Sequence, residues 1–270
     1  MKSEGRNPKA ERRLKSETRR TGRRALNERE NAISQGGLAS LSSAELASDS
    51  GIQAVTFDVG GTLIQCWPSV GHIYAEEAAR HGFVDLSPEL LNQRFASAWR
   101  GLTDFRHARS EWAALVDTTF EGLTPKSPSE TFFSSLFERF AEAEAWRIYD
   151  DVLPTLETLI ARRLKLGIVS NWDDRLRPLL HKMKLDKYFD TIVVSCEVDA
   201  PKPDKVIFLE AASGLQVRPE AILHIGDNLE SDVHGAIGAG FQALQICRED
   251  SEPGDGRIRS LFELRVERLL

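Results

Sequence analysis

Several polar side chains stand at the points where short apolar runs of this sequence end. Asp58 closes the run AVTF, and Ser170 with Asn171 closes the run LGIV. A single aspartate at the end of a strand is often only a helix cap. Polar groups at four successive strand ends indicate a common site, because ligands of an open parallel sheet bind beyond the carboxyl ends of its strands. The full set is Asp58, Ser170, Asn171, Lys202, Asp227 and Asp232.

The residue types in this set suit the binding of a metal ion and an anion. Three carboxylates in one cleft, Asp58, Asp227 and Asp232, would raise one another's pKa unless a cation compensates them. Oxygen-only ligands favour a hard ion, and Mg²⁺ requires few protein ligands. Lys202 and the Asn171 amide would then neutralise and hold an anionic substrate. One carboxylate facing a metal-bound phosphate is a candidate covalent nucleophile.

The apolar runs are typical of buried strands, and helix-length amphipathic stretches separate them. Strands without polar alternation indicate a sheet that is covered on both faces, and helices between them are the connections of parallel strands. The sequence therefore predicts an α/β fold, a Rossmann-like parallel sheet with helices on both faces. The predicted strands cover residues 54–57, 166–169, 191–194, 221–225 and 243–246, and the predicted helices cover residues 153–164, 173–184, 203–213, 230–239 and 257–269.

One connection is too long for a single crossover helix. It contains no strand-like run, whereas Ser87-Pro88 and Ser127-Pro128 are typical of helix starts. Its aromatic residues recur at helical spacing, and we interpret them as the core of a second, all-helical domain. The predicted organisation is a helical domain over residues 67–149 and an α/β core over residues 51–66 and 150–270.

Composition and charge indicate the cellular compartment and the partners to expect. The net charge is −6, yet residues 1–30 carry eleven Lys and Arg against five Glu. Residues 1–50 lack the apolar content that ordering requires, so they are predicted to be a disordered basic tail. Three cysteines without paired spacing argue against disulfides and zinc. With no bilayer-length apolar run and no secretory leader, we expect a cytoplasmic protein with no membrane partner and no nucleic-acid partner for its core.

Four segments resemble, in order and spacing, the motifs of the haloacid dehalogenase (HAD) superfamily. Residues 57–63, FDVGGTL, are similar to its first motif, and Ser170-Asn171 is similar to its second. Residues 202–204, KPD, and 226–232, GDNLESD, are similar to the third and fourth. The resemblance covers roughly residues 53–250 and implies an HAD-like core. It also implies a helical cap between the first two motifs, where the long connection lies.

The resemblance implies a role for each matched position in a Mg²⁺-dependent phosphatase acting on a small phosphorylated metabolite. Asp58 would attack phosphorus and form an aspartyl-phosphate. The implied catalytic residues are Asp58, Ser170 and Lys202; the implied substrate-binding residues are Gly61, Thr62 and Asn171; the implied metal ligands are Asp58, Asp227, Asp232 and the main-chain carbonyl of Gly60.

One position departs from the family pattern. Phosphatases of the superfamily usually carry a second aspartate two residues after the nucleophile, which protonates the leaving oxygen and then activates water. Here that position is Gly60. A backbone carbonyl supplies the metal ligand there, so metal binding is expected to survive, but losing a general acid typically costs about 10²–10⁴ in rate. We expect leaving groups that need no proton, such as acyl phosphates, to be preferred.

Three other functions stay open. A haloacid dehalogenase also lacks the second aspartate, but displacing halide does not require Asp227 and Asp232. A phosphonate hydrolase needs a lysine in its cap, and residues 67–150 contain only Lys126. A catalytically weak or inactive binding or regulatory protein would explain Gly60 but not the otherwise intact site.

A few further residues are candidates for the cleft. His224 lies within a strand run and is interpreted as a packed core histidine rather than a catalyst. Trp172 follows Asn171 and either lines the cleft or packs under the cap. The cap residues that would approach a substrate are drawn from His72, Arg94, Trp99, Arg106, His107 and Arg109.

Overall fold

The computed structural model describes residues 51–102, 105–248 and 256–264. Within them, six parallel strands form one sheet in the order β5-β4-β1-β6-β7-β8, and β2 pairs with β3 in a separate antiparallel sheet. The strands are β1 (Ala54–Phe57), β2 (Ile64–Cys66), β3 (Trp146–Ile148), β4 (Lys165–Ser170), β5 (Thr191–Val194), β6 (Ile222–Gly226), β7 (Gln242–Ile246) and β8 (Arg257–Ile258).

Helices connect these strands. None of the helices in the described part of the chain has both the length and the apolar composition that crossing a membrane requires. The helices are α1 (Val70–Arg80), α2 (Pro88–Arg100), α3 (Arg109–Phe120), α4 (Phe133–Arg139), α5 (Val152–Ala161), α6 (Leu176–Lys182), α7 (Ser195–Val198), α8 (Lys205–Leu215) and α9 (Gly235–Gly238).

The central strand shows why the sheet is covered on both faces. All four residues of β1 are buried. Val55 and Phe57 pack into one apolar cluster with residues of α5 and α6, whereas Ala54 packs into another with residues of α8. Successive side chains of a strand point to opposite faces, so each face needs its own layer of helices. The predicted α/β fold is confirmed.

The helices between β2 and β3 have an apolar cluster of their own. Tyr74, Phe120 and Phe132 lie at its centre, with Tyr74 and Phe120 stacked at a centroid distance of 5.6 Å. The interpretation of the aromatic residues as core is confirmed for these positions. The strand β3 was not predicted. Trp146 of β3 pairs with Cys66 of β2, and we call the part of the chain between these two strands the helical segment.

One predicted helix is wrong in its described part, and another is helical but begins with a different type of turn. Within residues 257–269, the described portion forms β8 and a 3₁₀ turn, because β8 pairs with β7 and Asp151 accepts hydrogen bonds from Ser260 Oγ and Leu261 N over 2.6 and 2.7 Å. These distant partners override the local helical pattern. The predicted helix at 230–239 consists of a π-helical turn, Leu229–His234, followed by α9. The predicted tail, residues 1–50, lies outside the described residues.

Candidate active site

The central position of β1 brings three strand ends together. Phe57, the last residue of β1, pairs with Ile168 of β4 on one side and with Ile225 of β6 on the other. Parallel strands open on the same edge of a sheet, so the residues that follow them become neighbours. These residues are Asp58 after β1, Ser170 and Asn171 at the end of β4, and Asp227 after β6.

Asp58 is held at the base of this edge by two donors. The Ser170 hydroxyl donates to Asp58 Oδ1 over 2.9 Å, and the Lys202 ammonium donates to the same oxygen over 2.7 Å. All three side chains are buried. Burial raises the pKa of the Asp58 carboxyl, although the charge of Lys202 opposes the shift. The structure thus brings the predicted nucleophile together with Ser170 and Lys202.

Lys202 is shared by two carboxylates. Its Nζ donates to Asp232 Oδ1 over 2.5 Å as well as to Asp58. Burial alone would lower the pKa of the ammonium, but the two carboxylates raise it above its ordinary value, so Lys202 stays charged. Asn171 fixes its backbone: the Lys202 N–H donates to Asn171 Oδ1 over 2.7 Å, and Asn171 Nδ2 donates to the Lys202 carbonyl over 3.0 Å. Asn171 therefore positions the backbone of Lys202. The sequence did not predict this role for Asn171.

Three carboxylates form a cluster: one oxygen each from Asp58, Asp227 and Asp232 lies within 4.8 Å of the others. Asp227 is exposed at the cleft but crowded by protein, and this desolvation, followed by repulsion from Asp58 and Asp232, raises its pKa to about 7. Burial alone would raise the pKa of Asp232, but Lys202 and His224 hold it below its ordinary value. One ammonium for three carboxylates leaves too little positive charge, so this all-oxygen set fits a hard divalent cation.

A buried histidine lies behind the cluster and orients Asp232. His224 Nε2 lies 3.3 Å from Asp232 Oδ1, and His224 Nδ1 lies 2.9 Å from Thr56 Oγ1. Burial lowers the pKa of His224, so the ring is neutral. Its Nε2–H then donates to the carboxylate and its Nδ1 accepts from the Thr56 hydroxyl, a tautomer inferred from these partners. The interpretation of His224 as a core residue is confirmed by its burial, but its contact with Asp232 was missed.

The loop after β1 approaches the cluster through two glycines, both of which line the cleft. Gly61 has a φ of +74°, and a Cβ there would overlap the Asp227 carboxylate, so this position requires glycine. Gly60 lies outside the left-handed region. A Cβ at Gly60 would lie 3.4 Å from Trp172 Cζ3, which is an ordinary contact. The backbone therefore accepts a side chain at position 60.

Thr62 is the predicted site residue that the structure does not bring to the cleft. Its side chain is fully buried, and its Oγ1 has no hydrogen-bond partner among the described residues. The backbone N–H groups of residues 62–64 all donate to the Val59 carbonyl, and this tight turn directs Thr62 inward. The Thr62 carbonyl accepts from Arg248 over 2.5 Å, and Arg248 is paired with Asp151. The Thr62 side chain therefore lies behind the loop, outside the described lining of the cleft.

A cleft of about 600 Å³ opens above the cluster, between the strand ends and the helical segment. Of the residues considered from the sequence, Trp99, His107 and Trp172 line it. Arg94 and Arg109 do not: Arg94 donates to the Glu121 carbonyl, and Arg109 packs over the Phe137 ring at 4.3 Å. His72 and Arg106 are likewise absent from the described lining.

Two residues just beyond Asn171 tie the core to the helical segment. Arg175 donates to Asp173 through Nε and Nη2 over 2.8 and 2.6 Å, and its Nη1 donates to the Phe137 carbonyl over 2.7 Å. Asp173 also accepts from Trp112 Nε1 over 3.1 Å. This pair was not predicted, and its signal in the sequence is the run WDDR directly after Ser170-Asn171.

Sequence comparison relates the chain to one protein family. The family profile of haloacid dehalogenase-like hydrolases matches residues 52–240. Haloacid dehalogenase-like hydrolase domain-containing protein 3 of Mus musculus is 32% identical over 219 residues, covering 77% of this chain and 86% of that protein. Glyceraldehyde 3-phosphate phosphatase of Methanopyrus kandleri is 32% identical over 222 residues, covering 75% and 88%.

A solved structure agrees with the sequence comparisons. The HAD phosphatase from Thermococcus onnurineus is 28% identical with a TM-score of 0.55, and the match covers 79% of this chain and 96% of that chain. The family match of residues 52–240 includes the carboxylate cluster, Ser170 and Lys202. The chain belongs to the haloacid dehalogenase-like hydrolases.

Proposed function

We propose that this protein is a Mg²⁺-dependent phosphatase that hydrolyses a small phosphorylated metabolite through an aspartyl-phosphate on Asp58. The observation that carries the proposal is the Lys202 ammonium between Asp58 and Asp232, inside a carboxylate cluster at the floor of a cleft. This arrangement supplies a carboxylate nucleophile, a fixed cation and oxygen ligands within one site. Two similar proteins that are phosphatases by name support the reaction class.

The chain's own residues divide the work of such a reaction. An Asp58 oxygen forms a bond to phosphorus while the bond from phosphorus to the leaving oxygen breaks. Ser170 and Lys202 lie against the nucleophile and are placed to bind phosphoryl oxygens. Water then attacks the aspartyl-phosphate, which releases phosphate and restores the carboxylate. We also propose that residues 67–149 act as a cap over this cleft.

The metal of this proposal is Mg²⁺, held by Asp58, Asp227, Asp232 and the Gly60 carbonyl. When bound, Mg²⁺ would supply the positive charge that the phosphoryl oxygens and the carboxylates share. Both oxygens of Asp232 already accept from the protein, Oδ1 from Lys202 and Oδ2 from the Asn228 N–H. Asp227, which faces the open cleft, is therefore the carboxylate whose protonation should matter most for metal binding.

We expect the affinity for Mg²⁺ to fall as the pH drops through about 7. Asp227 has a pKa of about 7, so its carboxylate is charged above that pH and becomes protonated below it. Metal binding must then displace a proton, which weakens the apparent affinity by about tenfold per pH unit for one proton. Isothermal titration calorimetry with MgCl₂ between about pH 5.5 and 8.5 would measure this change.

The matched control for this titration is Asp227→Asn. This variant should bind Mg²⁺ more weakly and lose the pH dependence around 7, because the titrating group is gone. A wild-type affinity that stays constant over the same range would contradict Asp227 as a metal ligand.

The missing acid at position 60 defines which leaving groups the enzyme should accept. Gly60 has no side chain that could donate a proton, although the space and backbone conformation at this position would accommodate a side chain. We expect Gly60→Asp to raise kcat for alkyl phosphates by up to about 10²–10⁴. The same change should have little effect on acetyl phosphate, whose leaving group needs no proton. Steady-state kinetics with both substrates would measure the difference.

Gly60→Ala is the control for Gly60→Asp, since it adds the same Cβ beside Trp172 without a carboxyl group. It should leave the preference between the two substrates unchanged. An equal effect of Gly60→Asp on both substrates would show that another group already supplies the proton.

The test of the proposed function is phosphate release from acetyl phosphate and p-nitrophenyl phosphate with MgCl₂, and its loss with EDTA. No turnover of either substrate would reject the phosphatase and favour a binding or regulatory protein. Halide release from L-2-chloropropionate without metal would instead identify a dehalogenase.

A further inference from the structure

Aromatic rings line the cleft, and they come both from the residues that lead up to and begin β3 and from the loop after β4. Six of them, which we call the aromatic wall, are Trp99, Phe105, Trp112, Phe137, Trp146 and Trp172. Trp99 and Trp112 stack at a centroid distance of 5.7 Å, and Phe105 meets Trp112 edge-on at 4.9 Å. Trp99 keeps 40% of its surface exposed. Packing within the protein therefore leaves part of the wall open to a ligand.

The wall begins beside the reacting end of the cleft. Trp172 Cζ3 would lie 3.4 Å from a Cβ at Gly60, two residues after the nucleophile, and the Trp172 ring packs against Trp146 at a centroid distance of 5.2 Å. In an in-line displacement, the leaving oxygen lies opposite the attacking oxygen. Because Asp58 attacks from the floor, the leaving group points up the cleft toward the wall.

The charges of the cleft leave no cation for a second anionic group. Among the described lining residues, the cations are Lys202 and Arg175. Lys202 is paired with two carboxylates, and Arg175 is paired with Asp173. His107 also lines the cleft, but burial lowers its pKa to about 4, so its ring is neutral at pH 7. The lining therefore favours a leaving group that carries no anionic substituent of its own.

His107 packs among the rings of the aromatic wall. Its ring lies 4.9 Å from Phe105 and 5.7 Å from Trp112 between centroids, and its Nδ1 is buried without a hydrogen-bond partner among the described residues. Because this atom is shielded from solvent and the ring is neutral, His107 adds to the wall as an uncharged ring.

We propose that the substrate is a phosphate monoester of a small, uncharged, planar phenol, whose ring binds against the aromatic wall. This inference rests on the proposed phosphatase function and specifies its substrate class. Asp58 forms its bond to phosphorus as the bond from phosphorus to the phenolic oxygen breaks. The phenolate leaves with the electron pair and takes a proton from water. A water molecule then hydrolyses the aspartyl-phosphate and releases phosphate.

This substrate class also accounts for the glycine at position 60. A phenol has a pKa of about 10, as in a tyrosine side chain, and is far more acidic than an aliphatic alcohol. Its phenolate can therefore depart without a general acid. The aromatic wall and Gly60 are separate features of the chain, and both favour the same leaving group.

The test measures by isothermal titration calorimetry how tightly phenylphosphonate and methylphosphonate bind the wild-type protein in the presence of MgCl₂. Both carry a phosphonate headgroup and neither has a leaving group, so the comparison measures the contribution of the ring. We expect phenylphosphonate to bind at least about tenfold more tightly. Equal affinities would overturn the proposal. If Asp58-dependent turnover of acetyl phosphate accompanied equal affinities, the phosphatase function would stand and only the substrate class would fail.

A variant locates the ring within the cleft. Trp99→Ala should reduce the preference for phenylphosphonate to less than about threefold and raise KM for phenyl phosphate. Phe262→Ala, which removes an exposed ring outside the described lining, should keep the wild-type preference. An unchanged preference in Trp99→Ala would overturn the wall as the binding site of the ring.

Discussion

Replacing Asp58 by asparagine should lower the turnover of acetyl phosphate by at least about 10⁴-fold, the scale of loss when a covalent nucleophile is removed. The amide keeps the size of the side chain but cannot attack phosphorus to form an acyl phosphate. Lys202 retains Asp232 as a partner, so the fold should survive the change. Phosphate release in the presence of MgCl₂ measures the loss, and thermal unfolding verifies the fold.

The matched control is Asp199→Asn, which makes the same chemical change at an exposed position. The Asp199 side chain is 96% exposed, and its left-handed backbone conformation also suits asparagine. Its activity should equal that of the wild type. Turnover by Asp58→Asn at a comparable rate would rule out a covalent role for Asp58.

Replacing Lys202 by methionine should lower the free energy of unfolding by about 3–5 kcal/mol, the cost of leaving buried charges without their partner. Asp58 and Asp232 would then face each other with no ammonium between them. The loss should be smaller at about pH 5 than at about pH 8, because protonation relieves carboxylates whose pKa is raised. Urea unfolding of the metal-free protein at both pH values measures it.

Lys205→Met is the control for this variant, since Lys205 is exposed at the start of α8. It should change stability little at either pH. Mg²⁺ should stabilise Lys202→Met more than the wild type, because the metal would supply the missing positive charge. A loss of stability that is the same at both pH values would contradict this electrostatic account.

The proximity of the site residues could be predicted from the sequence because its signals are local. Asp58, Ser170 and Asp227 each follow an apolar run, and parallel strands necessarily bring such ends to one edge of the sheet. The structure brings these residues together with Lys202 and Asp232. No homologous structure is needed for that step, only the period and length of the runs.

Side-chain direction within a loop could not be predicted in the same way. Thr62 lies in the motif beside Gly61, yet the turn closed on the Val59 carbonyl directs one residue to the cleft and the other inward. The helix start at Ser127-Pro128 gave only a 3₁₀ turn, Pro128–Glu130, before α4 begins at Phe133. Such details depend on hydrogen bonds and packing that a linear pattern does not contain.

The aromatic residues of the helical segment show that the prediction of function from sequence is limited in a similar way. Their spacing indicates a helix that buries them, and several do form the cluster around Tyr74. Phe137, however, belongs to that cluster and also lines the cleft. Periodicity identifies the apolar face of a helix but does not say whether that face meets protein or ligand.

The hydrogen bond from Arg248 to the Thr62 carbonyl has a consequence for how the protein matures during synthesis. It joins the loop beside the nucleophile to a residue 186 positions later, and Asp151 ties the same arginine to Ser260 and Leu261. The ribosome synthesises the chain from its N-terminus, so Arg248 becomes available to this loop only after 186 further residues have been made. The nucleophile is therefore synthesised well before the arginine that anchors its loop.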